Sequence, residues 1–243
     1  MFAFVRSATL RELCGFARNP MPVNKAAFES LLVELAPKKI LLVAVSKSKS
    51  VEQIKELYDL GQRDFGENYV QELLEKQLQL PADIHWHFIG HLQSNKVKKI
   101  VPFIYLVQSV DSLKVLKEIN KQAEKAKRVI NCLLQVHLAE EETKFGLDDQ
   151  ELGEVIAYLA ANDKELSGIT IKGVMGMASL TPDIEKSRKE FRKLKLIFDQ
   201  LATQVAGIEI LSMGMSGDYR IAIAEGSNLI RIGTLLFGER EVI

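Results

Sequence analysis

Eight short apolar runs, rich in Val and Ile, recur along the chain with a helical pattern in each interval, and this alternation constrains the fold most. The runs are Ile40 to Val45, Arg63 to Phe65, His85 to Ile89 and Ile104 to Gln108. Val129 to Val136, Ile169 to Val174, Ile208 to Leu211 and Leu229 to Ile232 follow. The central runs are apolar throughout rather than alternating, as in parallel strands covered on both faces. Each interval has room for one helix and two short loops, the size of a βα unit. The pattern predicts an α/β fold, a single-domain parallel (β/α)8 barrel of the TIM type. A doubly wound open sheet is the alternative. Against it, no glycine-rich dinucleotide turn follows the first run, where VAVSKSKS stands instead.

The intervals carry helix start and stop signals. Ser50 with Gln53 has the spacing of a capping box, ahead of Val51, Ile54, Leu57 and Tyr58, and Gly61 closes that helix. Asp111 or Ser112 caps a helix through Leu113, Leu116, Ile119 and Ala123. Thr181-Pro182 is expected to open the longest helix, with proline at its first position. Its buried stripe would be Ile184, Phe191, Leu194, Phe198, Leu201 and Val205.

Residues 1–20 stand apart from this pattern. They hold Arg6, Arg11 and Arg18 against the single acid Glu12, and Asn19-Pro20 breaks any helix before Met21. They are expected to be an extension outside the fold, from an over-extended start codon rather than a targeting segment, with the barrel over residues 21–243. Lys+Arg and Asp+Glu are both 32, so the basic excess of a nucleic-acid binder is missing. No apolar run approaches the ~18 residues of a membrane-spanning helix. Two cysteines, Cys14 and Cys132, make no disulfide framework, which fits a reduced, cytoplasmic protein.

In a barrel the chemistry lies at the C-terminal ends of the strands. The first run ends in Ser46-Lys47, with Lys49 just beyond. An amine at the rim of an apolar strand is partly desolvated, which makes it a usable nucleophile toward an aldehyde. SMGMSGD (Ser212 to Asp218) follows the seventh run and RIGT (Arg231 to Thr234) ends the eighth. Their small residues let backbone N–H groups approach an anion, and the hydroxyls add donors. Taken singly, these are loop lysines, an N-cap serine at Ser216 and turn glycines at Gly214 and Gly233. Together they point to a phosphorylated aldehyde. Arg231 shares the face of Gly233 and needs an acceptor, either a pyridine nitrogen or a carboxylate such as Glu225 or Glu67.

LLVAVSKSKS, FGENYVQELLEK, WHFIGHLQSNK, KFGL, IKGVMGMAS, LSMGMSGDY and SNLIRIGTLLFGER resemble the successive signatures of the pyridoxal phosphate homeostasis protein family. That family is a single-domain barrel related to the N-terminal domain of alanine racemase, and the resemblance spans about Lys25 to Arg240. It implies pyridoxal 5′-phosphate as cofactor, with Lys47 as the lysine of the internal aldimine and Lys49 as the second lysine beside it. It places Ser212, Gly233 and Thr234 at the phosphate, Ser216 as a nearby small donor, Arg231 at the pyridine nitrogen and Asn68 at the rim. The function implied is vitamin B6 and amino-acid/keto-acid homeostasis without a dedicated reaction, with pyridoxal-phosphate-dependent apoenzymes as partners and neither nucleic acid nor membrane. A monomer is expected.

A racemase-type enzyme is the alternative. An Arg at the pyridine nitrogen leaves the ring a weaker electron sink, which weighs against it. The barrel pattern also runs to near Ile243, so the β-rich second domain of related racemases is not expected. His85 and His87 share a strand face and His91 follows, but a third or fourth ligand of suitable type is missing, so no metal is expected. His87 is expected on the cofactor's far side, Trp86 against the helices, and Lys96, Lys98 and Lys99 on a solvated face. His137 and the stretch Glu140 to Glu142 fall in the loop after the fifth run, without an assigned role.

Overall fold

The computed structural model describes residues 22–138, 145–162 and 165–239. The extension expected over residues 1–20 and the acidic stretch 140–142 lie outside the described residues. The strands are β1 (Leu41–Val45), β2 (Asp64–Glu67), β3 (His85–Phe88), β4 (Leu106–Val110), β5 (Ile130–Val136), β6 (Ile169–Gly176), β7 (Ile210–Ser212) and β8 (Leu229–Ile232). They form one closed parallel barrel in chain order, β8 pairing with β1 from Leu41–Leu229 to Ala44–Ile232. The helices outside it are α1 (Lys25–Leu35), α2 (Val51–Asp59), α3 (Val70–Gln77), α4 (Val97–Ile100) and α5 (Leu113–Lys125). Four more follow: α6 (Asp149–Ala161), α7 (Ile184–Gln204), α8 (Tyr219–Ala224) and α9 (Thr234–Phe237). This is the (β/α)8 architecture that the alternation predicts.

Local signals placed most boundaries. Ser50 and Gln53 close a reciprocal capping box on α2, and Ser112, not Asp111, caps α5. Several strands begin later than their apolar runs. Ile104 belongs to the turn after α4, its N–H donating to the Ile100 carbonyl at 2.9 Å, so β4 starts at Leu106. Pro182 is not the first residue of α7. Asp183 caps that helix, its carboxylate accepting the N–H groups of Glu185 and Lys186 at 2.9 and 3.1 Å. Ile184 therefore sits in an exposed first turn, while Phe191, Leu194 and Leu201 carry the buried stripe.

The core has two parts. The larger lies between barrel and helices and includes Trp86, packed on Phe65 with ring centroids 6.1 Å apart. The smaller fills the barrel with Val43, Leu106, Leu133, Met175 and Leu229. Polar side chains enter that interior as well. Ser212 on β7 donates to Gln108 Oε1 on β4 at 2.7 Å, and because those strands are not neighbours in the sheet the bond crosses the inside of the barrel. Cys132 is buried, and burial pushes its thiol up. Among the described residues no helix is long and apolar enough to cross a membrane.

Candidate functional site

A pocket of about 300 Å³ opens at the C-terminal ends of β8, β1 and β2, where barrels of this type place their chemistry. Lys47, half-buried in the turn after β1, lines it, as do Asn68 after β2, Ser216 after β7, and Arg231, Gly233 and Thr234 at the end of β8. Val45, Ile89, Met177 and Met215 supply the apolar wall.

The β7–α8 turn depends on Gly214, whose φ of +98° favours glycine; a Cβ there would stand 2.7 Å from Ala222 Cβ. Its carbonyl accepts the Arg231 N–H at 3.0 Å, joining the turn to β8. The N–H groups of Gly233 and Leu235 converge on Ser216 Oγ at 3.3 and 3.5 Å. An anionic oxygen near that point meets the same donors. Ser216 keeps its own hydroxyl proton to give, because no acceptor for it stands among the described residues. Gly233 has φ −115° and room for a side chain, the nearest atoms being Val45 Cβ and O at 3.5 Å. Its small size is thus a property of the pocket rather than of the turn. Asn68 reaches the rim because Gly90 lets the neighbouring strand end close in: a Cβ at Gly90 would stand 2.1 Å from the Asn68 carbonyl oxygen. The buried Asn68 Oδ1 has no partner among the described residues.

Arg231 is the buried cation at the base of the pocket, 3 % exposed. It donates to Ser212 Oγ and, at 2.9 Å, to the Gly176 carbonyl. Neither carboxylate weighed as its partner holds it. Glu225 pairs with Arg188 and Arg192 at 2.6 and 2.9 Å, and Glu67 with Lys76 at 2.8 Å. Burial lowers the guanidinium to about 10, Asp218 pulling the other way, so it stays charged at neutral pH.

Two expected positions move. Ser212 does not line the pocket. It is fully buried, giving its proton to Gln108 and accepting from Arg231. His87 is not on the far side of the pocket. It lies buried inside the barrel, meeting Gln108 Nε2 through Nδ1 at 3.0 Å and Asp64 Oδ1 through Nε2 at 2.9 Å. With Gln108 donating to Nδ1, the proton of the neutral ring sits on Nε2 and faces the carboxylate. Burial lowers the His87 pKa against the pull of Asp64. A polar chain thus runs Asp64, His87, Gln108, Ser212, Arg231 across the barrel. Alternation along β3 set His87 on the face opposite Trp86, but Gln108 and Asp64 carry no sequence signal as its partners.

Lys49 also points elsewhere, its ammonium donating to the Phe237 and Glu239 carbonyls at 3.1 and 3.4 Å. His91 pairs with Asp111 at 2.6 Å and stacks on Phe145. Among the described residues no three His, Cys, Asp or Glu side chains are grouped to hold a metal ion.

The profile of the alanine racemase N-terminal domain matches residues 29–241. The pyridoxal phosphate homeostasis protein of Aquifex aeolicus is 40% identical over 202 residues, covering 82% of this chain and 87% of that protein. The protein of that name from Escherichia coli K12 is 36% identical over 210 residues, covering 85% and 88%. Among solved structures, PipY of Synechococcus elongatus PCC7942 with PLP bound superposes with a TM-score of 0.80 at 35% identity, over 88% of this chain and 99% of PipY. Alanine racemase from Bartonella henselae shares the fold, with a TM-score of 0.68 at 19% identity, matched over 60% of its length.

Proposed function

The chain belongs to the pyridoxal phosphate homeostasis protein family, within the wider alanine racemase N-terminal domain family, and on that footing we propose that it holds pyridoxal 5′-phosphate covalently through Lys47. Its role in this reading is vitamin B6 and amino-acid/keto-acid homeostasis without a dedicated reaction. The observation that carries the proposal is one pocket that joins an amine from β1 to convergent N–H and hydroxyl donors from the ends of β7 and β8.

The residues present suit the cofactor. When bound, it supplies an aldehyde carbon with which a primary amine condenses. Lys47 provides the primary amine from a half-buried position in the pocket wall. Gly233, Leu235, Thr234 and Ser216 offer neutral donors to the phosphate. The unpartnered Asn68 Oδ1 offers an acceptor at the rim. Ile89, Met177 and Met215 keep water from the ring. Arg231 can only donate, so at a pyridine nitrogen it supplies a hydrogen bond without surrendering a proton. That weakens the ring as an electron sink and favours a carrier over a racemase. The same reading makes the protein a cytoplasmic monomer that passes the cofactor to pyridoxal-phosphate-dependent apoenzymes.

The test is the visible spectrum of the purified protein before and after borohydride, with the reduced adduct mapped by mass spectrometry. A yellow protein with one reduced adduct on Lys47, lost in Lys47→Ala, is the expected outcome. An adduct that persists in Lys47→Ala would overturn the assignment, with Lys49 examined next. Turnover of any member of an amino-acid racemisation panel would favour the enzyme reading.

A further inference from the structure

The motif FGENYVQELLEK holds charged residues that the pocket does not use. Three of them, Glu67, Glu72 and Lys76, gather behind the turn that presents Lys47. Lys76 is 5 % exposed. Its ammonium donates to Glu72 Oε1 at 2.6 Å, to Glu67 Oε1 at 2.8 Å and to the Ser46 carbonyl at 2.7 Å. An ammonium has three protons, and these contacts use all of them. Glu72 Oε1 in turn accepts the Ser48 N–H. One ion pair on α3 therefore holds the carbonyl just before Lys47 and the N–H just after it. The turn is fixed at its root too: Ser46 donates its N–H to Gly66 O at 3.0 Å and its hydroxyl to Glu67 Oε1 at 2.6 Å. Ser48 has φ +59°, a left-handed conformation that a non-glycine residue keeps only where its surroundings hold it.

We propose that Glu72 and Lys76 are positioning residues, a clamp from α3 that fixes the backbone carrying the Lys47 amine so that it meets an aldehyde bound in the pocket. The spacing explains the pair. Residues four apart on a helix share a face, and α3 begins just after the β2 rim, opposite the β1 turn. Neither residue lines the pocket, so the clamp acts on Lys47 and leaves the phosphate donors alone. A reacting group misplaced by about 1 Å can cost about a hundredfold in rate, which sets the scale of the effect on adduct formation.

The clamp rests on the reading of Lys47 above, so the experiment separates the two. Glu72→Ala is made with Lys47 present and again in Lys47→Ala, and pyridoxal 5′-phosphate affinity is measured in all four proteins. With Lys47 present, the Glu72→Ala protein should form the borohydride-trapped adduct about ten- to a hundredfold more slowly and bind more weakly. In the Lys47→Ala background the same change should move affinity less than about twofold, because only the amine is misplaced. Glu72→Gln, which keeps the acceptor for Ser48, should recover most of the loss. In the protein without cofactor, exchange of the Ser48 amide hydrogen should quicken in Glu72→Ala and not in Glu72→Gln. Lys76→Met is the harsher variant; if it fails to fold, Glu72, partly exposed at 23%, still decides. Equal affinity losses in both backgrounds would overturn the clamp, since they would show Glu72 supporting the pocket as a whole. Unaltered adduct formation with faster Ser48 exchange would overturn it as well. If the unsubstituted protein formed no adduct, the Lys47 assignment would fall and the clamp's purpose with it.

Discussion

The barrel interior and the pocket rim both carry polar side chains, and they differ in whether those groups are already mated. Inside, Asp64, His87, Gln108, Ser212 and Arg231 bond one to the next across the barrel. At the rim, Asn68 Oδ1 has no partner among the described residues, Ser216 has a proton to give, and the Gly233 and Leu235 N–H groups are held only by their 3.3 and 3.5 Å bonds to Ser216 Oγ. Using a mated buried group for a ligand leaves its former partner unsatisfied, at about 1–3 kcal/mol. An unmated group carries no such penalty. The interior is therefore suited to hold Arg231 in place and the rim to take up a ligand, although both are lined with residues of similar chemistry.

The largest effect is expected at the rim. Gly233→Val adds a branched side chain where the backbone tolerates one and only the pocket is filled. Losing two hydrogen bonds to a charged group, at roughly 1.5–3 kcal/mol each, weakens pyridoxal 5′-phosphate by about two to four decades. Thermal unfolding should hardly change. Titration of the variant with the cofactor checks this, and a fold that collapses with the affinity would place Gly233 among structural glycines.

Two serines sharpen the comparison. Ser216→Ala should weaken pyridoxal 5′-phosphate by about ten- to a hundredfold, one hydrogen bond's worth, while binding of unphosphorylated pyridoxal stays as it was. Ser212→Ala leaves Gln108 Oε1 and an Arg231 N–H without their partner. It should lower stability by about 1–3 kcal/mol and weaken both ligands alike. Dissociation constants for both ligands against both variants decide between rim and interior. A phosphate-selective loss in Ser212→Ala would return that residue to the phosphate, where its place in the motif alone suggests it.

The smallest effect is a slope. Burial lowers the His87 pKa below its ordinary 6.5, so the unfolded chain takes up a proton that the native ring refuses. Its contribution is full above pH 6.5 and is lost as pH falls from there toward the lowered native value, at up to about 1.4 kcal/mol per pH unit. Urea unfolding at pH 7, 6 and 5 should show this decline in the native sequence and a flatter one in His87→Gln, which can still bridge Gln108 and Asp64. Equal slopes would mean that His87 is protonated in the folded protein, and the direction of its hydrogen bond with Gln108 would have to be reversed.

What the sequence determined is periodic or local. Eight apolar runs with helices between them specify the barrel, because a parallel strand buried on both faces has few other places to go. The capping box at Ser50 and Gln53 starts α2 from residues three apart, and a lysine at the end of the first run is delivered to the pocket by the architecture alone. Alternation set Arg231 on the face of Gly233 and His87 on the face opposite Trp86, without saying that either entered the barrel. It could not say which partner each would meet. The bond from Ser212 to Gln108 joins residues 104 apart in the chain and the one from Lys76 to Ser46 residues 30 apart. Such choices depend on the height at which each strand enters the barrel and on which strands stand opposite after closure. The alternation along a strand selects a face but not a partner. Only the closed barrel decides, because hydrogen bonds form within about three ångströms and that proximity is created by tertiary packing.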